Sequence, residues 1–194
     1  MQQNKKFNVY KLATIGLMAA LVFVSTNIQF MIPALGGGSP TRIHFGNAAA
    51  LLSGFILGPI GGAFSAAIGF SIYDLTSTYG AAAVVWTFAF RFIMVFVGGA
   101  ISHFKGAKAE KFILNLVAGI AASVLYMVLH IGRNFITEYF LMPDMENVTV
   151  YANLTRRIMA SSINAVIAVI LSTIVYKAVY EALKSSGILN KVKG

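Results

Sequence analysis

Long apolar runs alternate with short polar or glycine-rich breaks along this chain, and the breaks set the predicted elements. The first run, from about Val9 to Phe30, is too long for a signal-peptide core. No small-x-small cleavage site precedes the polar loop, so it predicts a retained helix. It stops at Ile32-Pro33, ahead of Ala34-Leu35-Gly36-Gly37-Gly38-Ser39-Pro40, whose glycines and prolines predict an irregular connection. Arg42 to Leu75 then holds two shorter runs. Helix 2 spans about Gly46 to Leu57, with Asn47 as its N-cap, and helix 3 about Ile60 to Leu75. They fold back on each other at Leu57-Gly58-Pro59-Ile60-Gly61-Gly62. That reversal brings a polar start (Arg42, His44, Asn47) and a polar end (Tyr73, Asp74) to one side of a membrane. Helix 4 is predicted over about Ala82–Ile101, helix 5 over Phe112–Tyr139 and helix 6 over Leu154–Tyr180. The expected fold is a single all-α integral membrane domain over 1–194, with six transmembrane helices and both termini cytoplasmic.

Composition turns these runs into spans. Hydrophobic residues make up 58% and charged residues 11% of the 194 positions; a soluble domain carries about 25% charge. Mean hydropathy is +0.77. The formal charge of +9 lies between apolar runs, where topology signals lie, and does not form a nucleic-acid face. With the N-terminus inside, every lysine falls on the cytoplasmic side (5, 6, 11, 105, 108, 111, 177, 184, 191 and 193), leaving Arg42, Asp74, Glu138, Asp144, Glu146, Arg156 and Arg157 outside. There is no cysteine, hence no thiol chemistry.

Polar residues inside the spans carry the candidate chemistry. Arg91 sits about nine residues, roughly 14 Å, from the outer end of helix 4. On helix 5, Tyr126, His130, Arg133, Asn134 and Thr137 share one face of the outer half; on helix 6, Arg157, Ser161 and Asn164 do the same. Three stripes at one depth predict an outward-opening site made by Arg91, His130, Arg133, Asn134 and Asn164. Trp86, Tyr79, Phe45 and His44 supply ring faces and donors, and the glycines of loop 1 form a lid. Each has a structural reading beside it: Arg91 as the partner of Asp74 or Glu138, His130 as a hydrogen-bonded core residue, Arg157 as an interfacial cation. Small residues on helices 2 and 3 suit close packing in lipid. On helix 1, Gly16 and Ala20 lie four apart, suiting internal packing or a partner subunit. The sequence carries no Walker A, no HExxH, no nucleophile elbow and no buried carboxylate relay, so it predicts a binding protein with no engine, not an enzyme, and no cofactor.

The HFGN start, the LLSGFILGPIGG turn, the GFSIYDL end and Thr87-Phe88-Ala89-Phe90-Arg91-Phe92 together resemble the substrate-binding (S) components of energy-coupling factor (ECF) transporters, the bacterial vitamin importers. The similarity covers nearly the whole chain and is closest to the riboflavin-transporter-like branch, which includes hydroxymethylpyrimidine- and pyridoxine-type members. The resemblance implies a multi-pass protein of the bacterial cell membrane that binds a small B-type vitamin under loop 1. It implies delivery inward with a transmembrane coupling (T) subunit and two cytoplasmic ATPases, by toppling of the loaded S component. It also implies docking of helix 1 through an Ala-x-x-x-Ala motif, present here as Gly16-x-x-x-Ala20. The branch points to hydroxymethylpyrimidine or pyridoxine; the cationic bias of the stripes points to an anionic vitamin such as pantothenate. The competing expectation is a solitary membrane carrier of a small metabolite that works without ATPases.

Overall fold

The first helix, α1 (Val9–Asn27), stops before its apolar run does. Gln29–Ile32 forms strand β1, which pairs antiparallel with β2 (Thr41–His44), Gln29 facing His44 and Ile32 facing Thr41. The segment expected to finish helix 1 and enter an irregular loop is thus a β-hairpin. We describe residues 9–36, 40–77 and 79–187 of a computed structural model. The expected lid glycines Gly37 and Gly38, and Lys5, Lys6, Lys191 and Lys193, lie outside the described residues.

The next element, α2 (Gly46–Thr76), holds both expected short helices and is broken at Gly58 (φ 76°, ψ −175°), followed by Pro59. In an unbroken helix, residues 54 and 62 would lie about 12 Å apart along the axis. Here a Cβ added to Gly62 would stand 2.6 Å from the Gly54 nitrogen, so the two arms reverse and touch backbone to backbone. Ser53 Oγ donates to Gly62 O across the contact at 3.0 Å. A side chain at Gly62 would push the arms apart, and one at Gly54 would press on Val95 of the helix that follows. The positive φ at Gly58 is likewise a conformation that glycine tolerates.

Three helices follow: α3 (Gly80–Ser102), α4 (Phe112–Phe140) and α5 (Asn147–Ser185). A single 3-10 turn, Phe104–Gly106, lies between α3 and α4. The last helix is longer than expected at both ends, because the polar start Asn147-Val148-Thr149 belongs to it. Among the described residues, five helices are long and apolar enough to cross a membrane, where six spans were expected; the difference is the hairpin held within α2.

The interior is built around α2, whose most apolar stretch is 78% buried, against 22–33% for the other four helices. The others therefore present apolar faces outward, as lipid-facing helices do. Ala19 and Val22 of α1 pack on Gly69, and a Cβ there would meet Ala19 O at 2.5 Å. Gly99 of α3 lies so close to the turn that a Cβ would stand 2.6 Å from Pro59 Cα. Gly16 and Ala20 point away from this core and are exposed, and nothing lies within 4 Å of a Cβ placed on Gly16.

Candidate substrate-binding site

The reversal of α2 places Asn47, at its start, and Asp74, near its end, on the wall of one cavity of about 210 Å³. Thr41, Arg42 and His44 of β2 form a second wall, and Tyr79, Trp86, Phe90 and Arg91 a third. The cavity is completed by Ser123, Tyr126, His130, Arg133 and Asn134 of α4, with Ser161 and Asn164 of α5. All six described lysines (11, 105, 108, 111, 177 and 184) belong to segments at the opposite end of the bundle.

Arg91 is the most buried of the arginines that line the cavity. It is 3% exposed and its guanidinium lies between two ring faces, 3.9 Å from the Phe70 centroid and 3.7 Å from that of Tyr126. Nη1 donates to Asn47 Oδ1. Asn47 was expected to cap α2; its side chain serves Arg91 instead, and no side chain of the N-cap residue Phe45 takes the capping role. Neither carboxylate expected to neutralise Arg91 does so. Asp74 pairs with Arg42 (3.3 Å) and Glu138 with Arg157 (2.6 Å).

Arg42 lies over the rings of Tyr73 and Tyr79, at 4.2 and 4.6 Å. Gln29 of β1 donates to the Tyr73 hydroxyl, fixing that ring from the other side of the hairpin. The β-hairpin is also tied to α5. Asn164 Nδ2 donates to Arg42 O (2.8 Å), and its Oδ1 accepts from His44 N (2.9 Å). Asn153 bonds both the N–H and the C=O of Leu35, and Arg156 Nη1 donates to Ile32 O and Pro33 O at 2.6 Å. On α4, Tyr126 and His130 stack at 5.5 Å and 14°, and Asn134 Nδ2 donates to His130 O (2.7 Å).

His44 does what the Asn47 side chain was expected to do. Its Nδ1 accepts the Gly46 N–H at 3.1 Å, satisfying the first amide of α2. That acceptor role requires the neutral ring. Burial, with the guanidiniums of Arg91 and Arg42 nearby, holds His44 well below the ordinary imidazole value of about 6.5. An unfolded chain takes up that proton more readily than the folded site does. Stability from neutral His44 is therefore full above about pH 6.5 and declines as pH falls through the window beneath it. Tm measured from about pH 8 to 5 should fall on the acid side, and His44→Gln, which keeps an acceptor without a titrating ring, should shrink that fall. An unchanged acid slope in His44→Gln would remove His44 as its source.

A family model described as "ECF-type riboflavin transporter, S component" matches residues 6–181. The chain belongs to this family. It is a transporter component with several membrane helices, not a member of an enzyme family. One solved chain, from "Structure and mechanism of the S component of a bacterial ECF transporter", superposes with a TM-score of 0.65 at 22% identity. The match covers 94% of this chain and 99% of that one, and it shows that the two share a fold. No curated protein matches the sequence.

The S-component cavity gathers eight residues singled out from sequence: His44, Tyr79, Trp86, Arg91, His130, Arg133, Asn134 and Asn164. Phe45, the ninth, is 40% exposed and stands outside it. Arg157 belongs to a buried ion pair instead of the polar stripe. Arg42, Asn47 and Ser123 line the cavity without having been singled out as contacts. Ser123 had a signal: it lies three residues before Tyr126 and seven before His130, on the same helical face one turn deeper.

Proposed function

We propose that this S component is the high-affinity substrate-binding subunit of an ATP-driven ECF importer of a small B-type vitamin or precursor. It would cross the membrane six times, α2 contributing two crossings, with both termini in the cytoplasm. The single observation that carries this is the cavity. Its guanidinium, amide and ring contacts converge at the lysine-poor end, the outer end by the positive-inside rule. At about 210 Å³ the cavity is smaller than the ~300–1,000 Å³ typical of drug-sized ligands. That favours hydroxymethylpyrimidine or pyridoxine, as the branch resemblance does, with pantothenate next on charge. A second reading, riboflavin, rests on the description of the matching family. The exposed Gly16–Ala20 face of α1 is where the T subunit would dock, and two ATPases would supply the energy.

The test is ligand retention. The full chain, purified in mild detergent, should release one B vitamin at near-stoichiometric amounts on denaturation, identified by mass spectrometry. Asn134→Ala should reduce that yield by at least about tenfold, the effect of one lost buried hydrogen bond at the site. A yellow, fluorescent preparation would favour riboflavin. An empty protein whose Tm no vitamin shifts, but which transports in vesicles without ATPases, would replace this reading with the solitary carrier.

A further inference from the structure

The cavity is short of negative charge and has donors with nothing to donate to. Three guanidiniums, Arg42, Arg91 and Arg133, face it against one carboxylate, Asp74. Asp74 engages Arg42 through one Nη2 contact at 3.3 Å, long for a charge-assisted bond. The other terminal nitrogen, Arg42 Nη1, is buried without a hydrogen-bond partner, and so is the hydroxyl of Ser123. Buried donors left unpaired are rare in folded proteins and call for an explanation. Among the described residues Arg91 is met by a neutral amide, the Met94 sulfur and two ring faces, none of them anionic. The positive end of α2 also terminates at the cavity wall beside Asn47.

We infer that the ligand of this cavity carries one anionic oxygen group, a carboxylate or a phosphate ester, received by Arg42 Nη1 and Arg91. This rests on the substrate-binding reading above and, within it, selects the anionic alternative, of which pantothenate is an example, over hydroxymethylpyrimidine and pyridoxine, which carry no such group. An anion between the two guanidiniums would supply the missing acceptor and offset two cations buried at membrane depth. Both arginines line the same cavity, Arg42 from β2 and Arg91 from α3. The orphaned Ser123 hydroxyl is left for a polar group on the body of the ligand. Uncharged vitamins would leave the cation excess in place.

Twin ligands that differ only in the charged group give the test, by titration calorimetry on the full chain in nanodiscs. The pairs are pantothenate with pantothenyl alcohol, nicotinate with nicotinamide, and pyridoxal phosphate with pyridoxal. In the pair whose skeleton fits, the anion should bind about 10- to 100-fold tighter than its neutral twin, the value of a charged hydrogen bond. The first two pairs report a carboxylate, the third a phosphate ester. Removing Arg42 alone would strand Asp74, so the informative variant is Arg42→Gln with Asp74→Asn, which keeps the pair hydrogen-bonded and neutral. It should cut the anion-to-neutral ratio at least about tenfold. Neutral twins that bind as well as the anions, or retention of an uncharged vitamin, would overturn the inference and leave the S-component reading standing. No binding in any pair, with no small molecule retained, would remove both.

Discussion

Replacing Glu138 by alanine is expected to cost about 3–5 kcal/mol of stability, because it strands Arg157 without its counter-charge. The two side chains are 3% and 1% exposed and meet at 2.6 Å. Desolvation of both ions is offset by their attraction, so loss of Glu138 leaves a buried guanidinium without that counter-charge. Replacing both, Arg157→Leu with Glu138→Leu, should recover most of that loss, since a packed apolar pair in place of a buried ion pair is often neutral or stabilising. Reversible unfolding in mixed micelles, run as a double-mutant cycle, measures it. A single-variant loss below about 1 kcal/mol, the range of surface pairs, would mean that water reaches the contact. The pair joins α4 to α5 on either side of the 141–146 turn. It holds those helices in the register that sets His130 and Asn134 opposite Ser161 and Asn164.

Arg91→Met should behave in the opposite way: little change in stability and a large loss of binding. Removing a cation at membrane depth returns about 2.5–3.5 kcal/mol. Against that stand the stacking on Phe70 and Tyr126, about 2 kcal/mol when desolvated, and an orphaned Asn47 oxygen, about 1–3 kcal/mol. These nearly cancel. The variant should unfold within about 1 kcal/mol of the parent. It should also bind the retained vitamin at least about 100-fold more weakly, close to 2.8 kcal/mol. A loss of more than about 3 kcal/mol of stability with affinity intact would make Arg91 a brace between α3 and α2. Glu138 and Arg91 thus separate two uses of buried charge, one paired for architecture and one held open for a ligand.

Much of this architecture is legible in the chain because lipid imposes simple rules. The reversal at Gly58-Pro59 stands out because a positive φ before proline cannot continue a helix, and the flanking small residues mark the close approach. The stripe on α4 is legible because 3.6-residue spacing places Tyr126, His130 and Asn134 together whatever they touch. The β-hairpin was not legible. Gln29–Ile32 continues the apolar run of α1, and four-residue strands exist only through pairing with a partner, which no local pattern records. Pairing of charges was equally hidden. Asp74 chose Arg42 and Glu138 chose Arg157 because the fold brings together residues 32 and 19 positions apart. The sequence suggests only that such acids need partners. Phe45 was misplaced for a related reason: its neighbour His44 turns inward to cap α2, so Phe45 faces out.

The hydrogen bonds from Asn153, Arg156 and Asn164 give the two sides of the cavity different stiffness. The β-hairpin is fastened to α5 at both strands, β2 through Asn164 and the end of β1 with Pro33 and Leu35 through Arg156 and Asn153, and α5 is locked to α4 by the Glu138 pair. By contrast α3 has no buried residue before Arg91; its N-terminal half is half-exposed or exposed from Gly80 to Phe90. A loose stacking of Arg133 over Trp86 at 5.8 Å joins that half to α4. Directed bonds resist displacement and ring contacts slide. The cavity therefore has one stiff jaw, the β-hairpin with α5, and one compliant jaw, the N-terminal half of α3. A molecule entering or leaving would part the seam beside Trp86 without disturbing the wall that reads it.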